Sequence, residues 1–342
     1  MIEKKNAAFT VVSNNYLSFA MVLAGSFLST NDVDCFYICI VDDAGPKINI
    51  ENESIKVIYF DDVDLPKKDF FKYQYSILEL NTAVKPFVFR HIFEKFAISK
   101  LCYLDPDLYF YDDMREVWAG LDKYNVILTP HLLASVPEDG ATPTETQILQ
   151  SGTYNLGFLA LRNGAESMKL LDWWCEKLWL DCVVDIPNGL FVDQKWMDLA
   201  PTLFSGVFIL RDAGYNVAYW NLHERTITDK GRGRYQVNGC SPLVFFHYSG
   251  FNPTKPEVLS KHQSRTRLQG REDLSPLFKD YGEALLNNQF EEMQEIPFGF
   301  SWLPNGVLLP NSVSWLLRQA IRRSVFVPSP EEQPDAFCRW LM

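Results

Sequence analysis

The sequence predicts an α/β fold: an open, mostly parallel central sheet flanked by helices, followed by a helical C-terminal extension. Three observations carry this. Short, almost wholly apolar runs recur through the first half, as strands buried on both faces require. Between them lie longer stretches with helical spacing, and this alternation builds a parallel sheet with helices on both faces. After Pro256 the chain turns polar and helical.

Taken in order, residues 8–13 form the first buried strand and 16–29 a helix. Residues 36–41 form a second strand that ends in Asp42 and Asp43, and 55–60 a third. Residues 82–96 have helical spacing, with Pro86 in a first turn, where its missing N–H is not needed. Residues 100–104 form a further strand that runs straight into Asp105. A polar, Pro-containing loop at 135–146 precedes a strand at 154–161 and a helix at 165–179 that packs Trp173 and Trp174. Residues 205–210 and 216–218 read as short strands and 243–247 as a buried one. Composition shifts again over 297–310. Beyond it, 312–327 sets Trp315, Leu316, Leu317 and Ile321 beside Arg318, Arg322 and Arg323. A linker-like stretch at 328–334 leads to an apolar, uncapped Phe-Cys-Arg-Trp-Leu-Met.

With 342 residues, 47% hydrophobic, the chain can bury a sizeable core. We divide it into a sheet-bearing domain over 1–256 and a helical extension over 257–342. A net charge of −11 argues against a nucleic-acid binder, which needs a basic footprint. The seven cysteines include no CxxC pair and sit mostly in apolar runs, which reads as buried reduced thiols rather than disulfides or zinc. The N-terminus, Met-Ile-Glu-Lys-Lys-Asn, has no signal-peptide core. No uncharged apolar run reaches the roughly 18 residues that span a bilayer. The expectation is a soluble or peripheral protein of the cytoplasm.

Four places carry candidate chemistry. In Tyr-Leu-Asp-Pro-Asp, Asp105 and Asp107 flank Pro106 at the end of an apolar strand, and Leu-Tyr-Phe-Tyr follows. Two carboxylates one residue apart can converge on a hard cation such as Mn²⁺ or Mg²⁺. The hydrophobic flanks argue for burial of the pair, and a buried acidic pair needs a cation. Phe-Phe-His247-Tyr-Ser-Gly250 adds a third candidate ligand and a glycine that permits close backbone approach; Lys255 could meet a phosphate as a point charge. Asp193 and Gln194 together can accept from and donate to sugar hydroxyls, or cap a helix. Ser13, Asn14, Asn15 and Tyr16 stand at the tip of the first strand, where a base and ribose could sit or an ordinary turn could form. The segment 219–225, Tyr-Trp-Asn-Leu-His-Glu-Arg, reads equally as pocket lining or as aromatic core.

In this order the motifs resemble the retaining glycosyltransferases of family eight, a group of GT-A fold that includes lipopolysaccharide galactosyltransferases and glycogenin. The resemblance spans about residues 8 to 256. It rests on Val-Ser-Asn-Asn-Tyr at the first tip, Thr82-Ala-Val-Lys85, Leu-Cys-Tyr-Leu-Asp-Pro-Asp, Tyr154-Asn155-Leu156-Gly157, Asp193-Gln194, and His-Tyr-Ser-Gly followed by Lys-Pro. It implies transfer of a hexose from a UDP-sugar to an acceptor hydroxyl, with Asp105, Asp107 and His247 on Mn²⁺. It also implies Lys85 and Lys255 on the diphosphate, Ser13, Asn14, Asn15 and Tyr16 on the nucleotide, and Gly250 near the phosphates. Asn155, Asp193 and Gln194 would surround the sugar, with Gln194 stabilising charge on the sugar ring. Three departures stand out. Asn14 replaces a common Asp, His131 stands where an acid is common, and the spacing from His247 to Lys255 is long.

The expected partners are therefore a nucleotide-sugar donor and a glycan or lipid-linked glycan acceptor of bacterial surface-polysaccharide assembly. A sugar nucleotidyltransferase and a non-catalytic carbohydrate-binding or scaffolding domain are the alternatives. The first lacks its Gly-rich loop here, and the second would expect a broken metal site. Residues 312–327 read either as a helix on the inner face of an anionic membrane or as a packing helix. The apolar end suggests a further, additional glycosyltransferase domain.

Overall fold

The computed structural model describes residues 5–42, 52–310 and 312–342. Met1–Lys4 and Asp43, both used above, lie outside them. The main sheet has seven strands. β1 (Lys5–Val12) is followed by a helix and then β2 (Cys35–Ile40), and β3 (Ile55–Tyr59) is followed by helices and then β4 (Ile98–Leu104), as the apolar runs predict. β5 (Leu108–Phe110) leaves the sheet. β6 (Val126–Pro130), β7 (Tyr154–Arg162) and β8 (Val207–Ile209) complete it, in the order β8-β6-β7-β4-β1-β2-β3. All neighbouring pairs are parallel except those of β7, which runs antiparallel to both β4 and β6. Its first residues therefore share a rim with the last residues of the parallel strands.

Because side chains alternate along a strand, the buried strands serve two cores. Ala7, Phe9 and Val11 pack with Tyr37 and Cys39 against α2 (Ile77–Ala83), α3 (Lys85–Lys95) and α4 (Ala165–Leu178). Ala8 and Val12 pack with Phe36, Ile38 and Cys102 against α1 (Leu17–Thr30). The predicted helix over 82–96 is split. Ser76 and Glu79 form a capping box that starts α2, which already contains Thr82, and Pro86 opens α3. Trp174 is fully buried, and all seven cysteines are free thiols, five of them buried.

A small second sheet stands beyond the main one. β9 (Val217–Ala218) runs parallel to β10 (Phe245–His247), and β10 pairs antiparallel with β5, with His247 opposite Leu108. Residue 256 is not a packing boundary. Tyr248 stacks on Tyr281 of α5 (Ser275–Asn287) at 3.9 Å, and Phe246, Phe251 and Phe278 share that cluster. Phe290, which opens α6 (Phe290–Gln294), packs on Phe19 of α1. α7 (Ser312–Arg322) buries Val313, Leu317 and Ala320 with Tyr73, Leu303 and Phe337, the last from α8 (Pro334–Leu341). Trp315 and Leu316 stay exposed on it. The packing half of the expectation for 312–327 therefore holds for one face. Among the described residues no helix is long and apolar enough to cross a membrane.

Candidate active site

The site lies at the rim where β1, β4 and the start of β7 meet the second sheet. β4 delivers Asp105, whose N–H donates to Gly157 O at 2.8 Å. The turn at Pro106 then presents Asp107, and β5 pairs with β10 so that His247 faces both acids. His247 Nε2 stands 3.0 Å from Asp107 Oδ1 and 3.8 Å from Asp105 Oδ2. One ligand atom from each of the three lies within 4.8 Å of the others. The flanks Leu104 and Leu108 are fully buried, yet Asp105 and Asp107 keep 26% and 20% of their side-chain surface. The carboxylates thus open onto a cleft, because the strand has reached the edge of the sheet, and the expected burial is confined to their flanks.

Each donor atom is aimed. Asp105 Oδ1 accepts from Tyr103 Oη at 2.5 Å and from Lys85 Nζ at 3.5 Å, which leaves Oδ2 on the His247 side. Burial works against the Asp107 carboxylate, but the adjacent His247 holds its pKa below the usual range. The same pair raises His247 above an ordinary histidine although burial opposes it. Gly157 leaves the space between them: a Cβ there would lie 2.5 Å from His247 Cε1 and 2.9 Å from Asp105 Oδ2. Two carboxylates and one imidazole, held this way around a gap only glycine leaves, suit a hard divalent cation such as Mn²⁺ or Mg²⁺.

Lys85 lies beneath this group, 2% exposed, between Asp193 Oδ2 at 2.9 Å and Asp105, and donates to Leu156 O at 3.2 Å. Burial would favour loss of its proton, but Asp105 and Asp193 hold its pKa above the lysine value. Its ammonium therefore braces the two acids from below. Gln194 is similarly engaged. Its Oε1 accepts from Leu156 N and from Asn155 Nδ2, and its Nε2 donates to Ser151 O. Asn155 Nδ2 also meets His131 Nε2 at 3.3 Å, and burial pushes the His131 pKa down to about 4.

At the tip of β1, Ser13 Oγ donates to Asn15 Oδ1 and Asn14 N to Asp42 Oδ2. Asp42 also takes Gly299 N, and Gln294 donates to Asn15 O, so the extension props this tip. Tyr16, 39% exposed, stacks on Phe19 at 4.8 Å; partial burial, and then the charge of Asp107, raise its pKa. Gly250 has φ +75°, and a Cβ there would meet His262 Cδ2 at 2.5 Å and Ser260 Oγ at 2.8 Å; the chain's own loop makes the close approach. Lys255 is exposed on the loop that follows.

Two groups, Asn216 and His262, went unnoticed in the sequence, and a third, Trp220, was read there only as part of segment 219–225. Asn216, 0% exposed with φ +52°, bonds His247 Nδ1 and Asn155 Oδ1. Trp220 stands edge-on between His131 and His247, with ring centroids 5.2 and 5.0 Å away, so it is core and site floor at once. His262 lies close enough to Asp107 for its charge to act on the ring, and only the polar character of its loop hinted at it.

The chain matches no protein-family model. Over 190 residues, 55% of its length, it is 27% identical to the uncharacterized protein YfnF of Bacillus subtilis (strain 168), and the match spans 60% of that protein. It is 23% identical to the uncharacterized protein YfnD of the same organism over 247 residues, 71% of this chain and 76% of YfnD. Among solved structures it is similar to the galactosyltransferase LgtC in complex with donor and acceptor sugar analogs (TM-score 0.48, 16% identity, 85% of this chain and 97% of that one). It is also similar to the bifunctional glycosyltransferase WbbM (0.48, 15%, 86% and 52%) and to GlyE of Streptococcus pneumoniae TIGR4 (0.45, 14%, 86% and 65%).

Proposed function

We propose that this chain is a metal-dependent glycosyltransferase of the GT-A kind, moving a hexose from a UDP-sugar to a hydroxyl of a glycan or lipid-linked glycan. The observation that carries the reading is the convergence of Asp105, Asp107 and His247 from two sheets on one point of the cleft. Beside that point lie the amide side chains of Asn155 and Gln194 and the tip of β1. A divalent cation bound by the three ligands would neutralise a diphosphate as it departs. The chain's own residues would do the rest. Ser13, Asn14, Asn15 and Tyr16 would hold the nucleotide, and Lys255 would meet the diphosphate from its exposed loop. Lys85 would hold Asp105 and Asp193 in place. Asn155, Asp193 and Gln194 would border the sugar, with Gln194 carbonyl oxygen the group nearest in kind to a stabiliser of positive charge. Retention of configuration and a role in bacterial surface-polysaccharide assembly rest on the family resemblance.

The test is calorimetric titration of UDP with and without Mn²⁺, on the parent and on Asp107→Ala. Binding that depends on Mn²⁺ and is lost in the variant is expected; binding indifferent to the metal would overturn the reading. A screen of UDP-sugars should release UDP, whereas pyrophosphate release would favour a nucleotidyltransferase. The exposed Trp315, Leu316 and Phe326 beside Arg323 are the surface we assign to a membrane carrying the acceptor. Failure to co-sediment with anionic vesicles would remove that assignment.

A further inference from the structure

We propose that Asn216 is a positioning residue that keeps the proton on His247 Nδ1 and so leaves the Nε2 lone pair facing the cation. This rests on the metal-centre reading above. The backbone N–H of Gly157 can only donate, and it donates to Asn155 Oδ1 at 3.1 Å. That makes Oδ1 the carbonyl end of the Asn155 amide. Asn216 stands 3.0 Å from the same oxygen, so its atom there must be the donor, Nδ2, which also reaches Thr129 Oγ1 at 2.9 Å. The other end of the Asn216 amide is then Oδ1, an acceptor, and it faces His247 Nδ1 at 3.2 Å. Only a protonated Nδ1 can bond it.

The opposite side of the network agrees. Asn155 Nδ2 donates to Gln194 Oε1, whose acceptor role is set by the backbone N–H of Leu156. It also meets His131 Nε2, while His131 Nδ1 faces the carbonyl of Thr153 at 3.3 Å. One arrangement of protons satisfies every link. A metal-binding histidine needs one nitrogen free and its other N–H held, and the group that holds it orients the ring and sets the tautomer. Asn216 occupies that position. Its left-handed backbone, φ +52°, is one that Asn adopts more readily than most residues, and its own carbonyl accepts from Asn221 Nδ2.

The test is Mn²⁺ titration of the full chain, followed by water-proton relaxation, in the parent, Asn216→Gly and Asn216→Asp. Glycine keeps the backbone conformation and removes the acceptor; Mn²⁺ affinity should fall about 10- to 100-fold. Aspartate removes the donor to Asn155 and Thr129 but keeps an acceptor for His247, so its affinity should match or exceed the parent's. A role confined to packing would weaken both variants alike. Parent-like affinity in Asn216→Gly would overturn the proposal, as would a tenfold or greater loss in Asn216→Asp, even if the glycine variant fails to fold. A parent that binds no Mn²⁺ would instead overturn the metal-centre reading on which it stands.

Discussion

His247 stands opposite Leu108 in an antiparallel pair of strands, and this register brings its Nε2 to 3.0 Å from Asp107 Oδ1. Residues far apart in the chain become one cluster because two short strands pair in a single way. A slip of one residue would turn His247 to the other face.

Gly157 leaves the gap that this cluster encloses. Gly157→Ala should place a methyl against His247, Asn155 and Asp105 together, at 2.5 to 2.9 Å. We expect a stability loss of about 1–3 kcal/mol from overpacking, and loss of Mn²⁺ binding. Denaturant unfolding and Mn²⁺ titration check the two separately. Parent-like metal affinity would mean that the cluster tolerates displacement.

The Lys85–Asp193 pair is 2% exposed on both sides. Asp193→Asn should leave a buried ammonium with one distant acid and cost about 3–5 kcal/mol, read from urea unfolding at pH 7. Replacing both partners, Lys85→Met with Asp193→Leu, should recover most of that loss, since an apolar pair of similar volume is often neutral. No recovery would show that the charges themselves stabilise the fold.

His131 supplies a pH dependence of stability. Its pKa falls from about 6.5 in the unfolded chain to about 4 in the fold, because burial penalises its charged form. As pH drops through 6.5 the unfolded state takes up the proton first, so this contribution is present above 6.5 and is lost on the way down to 4. The slope is about 1.4 kcal/mol per pH unit at most, and about 3 kcal/mol over the whole window. Unfolding midpoints between pH 7 and 5 should fall more steeply in the parent than in His131→Gln. Equal slopes would show that His131 is protonated in the fold.

The extension props the proposed nucleotide tip through Phe290 on Phe19, on which Tyr16 stacks. Phe290→Ala should cost about 3–5 kcal/mol and weaken UDP binding although the residue is outside the cleft. A drop in melting temperature with unchanged UDP affinity would separate the prop from the tip.

Much of the sheet was readable because its strands are buried on both faces and give unbroken apolar runs. β6 was not predicted, although Val126–Pro130 is buried along all but its last residue. β7 was found but not its direction, since period and composition are the same whichever way a strand runs. β5 was hidden in the aromatic run after Asp107, and its pairing with β10 is a long-range contact that no local pattern encodes. Asp105, Asp107 and His247 were legible as residue types with suitable flanks. Asn216 was not: it read as the first residue of a short strand, and its role shows only in its buried partners. Lys85 was expected at a phosphate, and its neighbours in the fold are two acids.

The stacking of Tyr248 on Tyr281 has a consequence for the order of events in synthesis. The strand carrying His247 leaves the ribosome before the helix that covers its far side, and until that helix follows, Phe246, Tyr248 and Phe251 lack the rings of Phe278 and Tyr281. The first 256 residues contain every proposed ligand, but not the rings that cover the far side of the strand carrying the last one. Translation arrested or cleaved at that point would yield a chain that holds all three ligands, with an aromatic surface open to chaperones. The proposed metal centre gains part of the packing behind its histidine only once this C-terminal cover arrives.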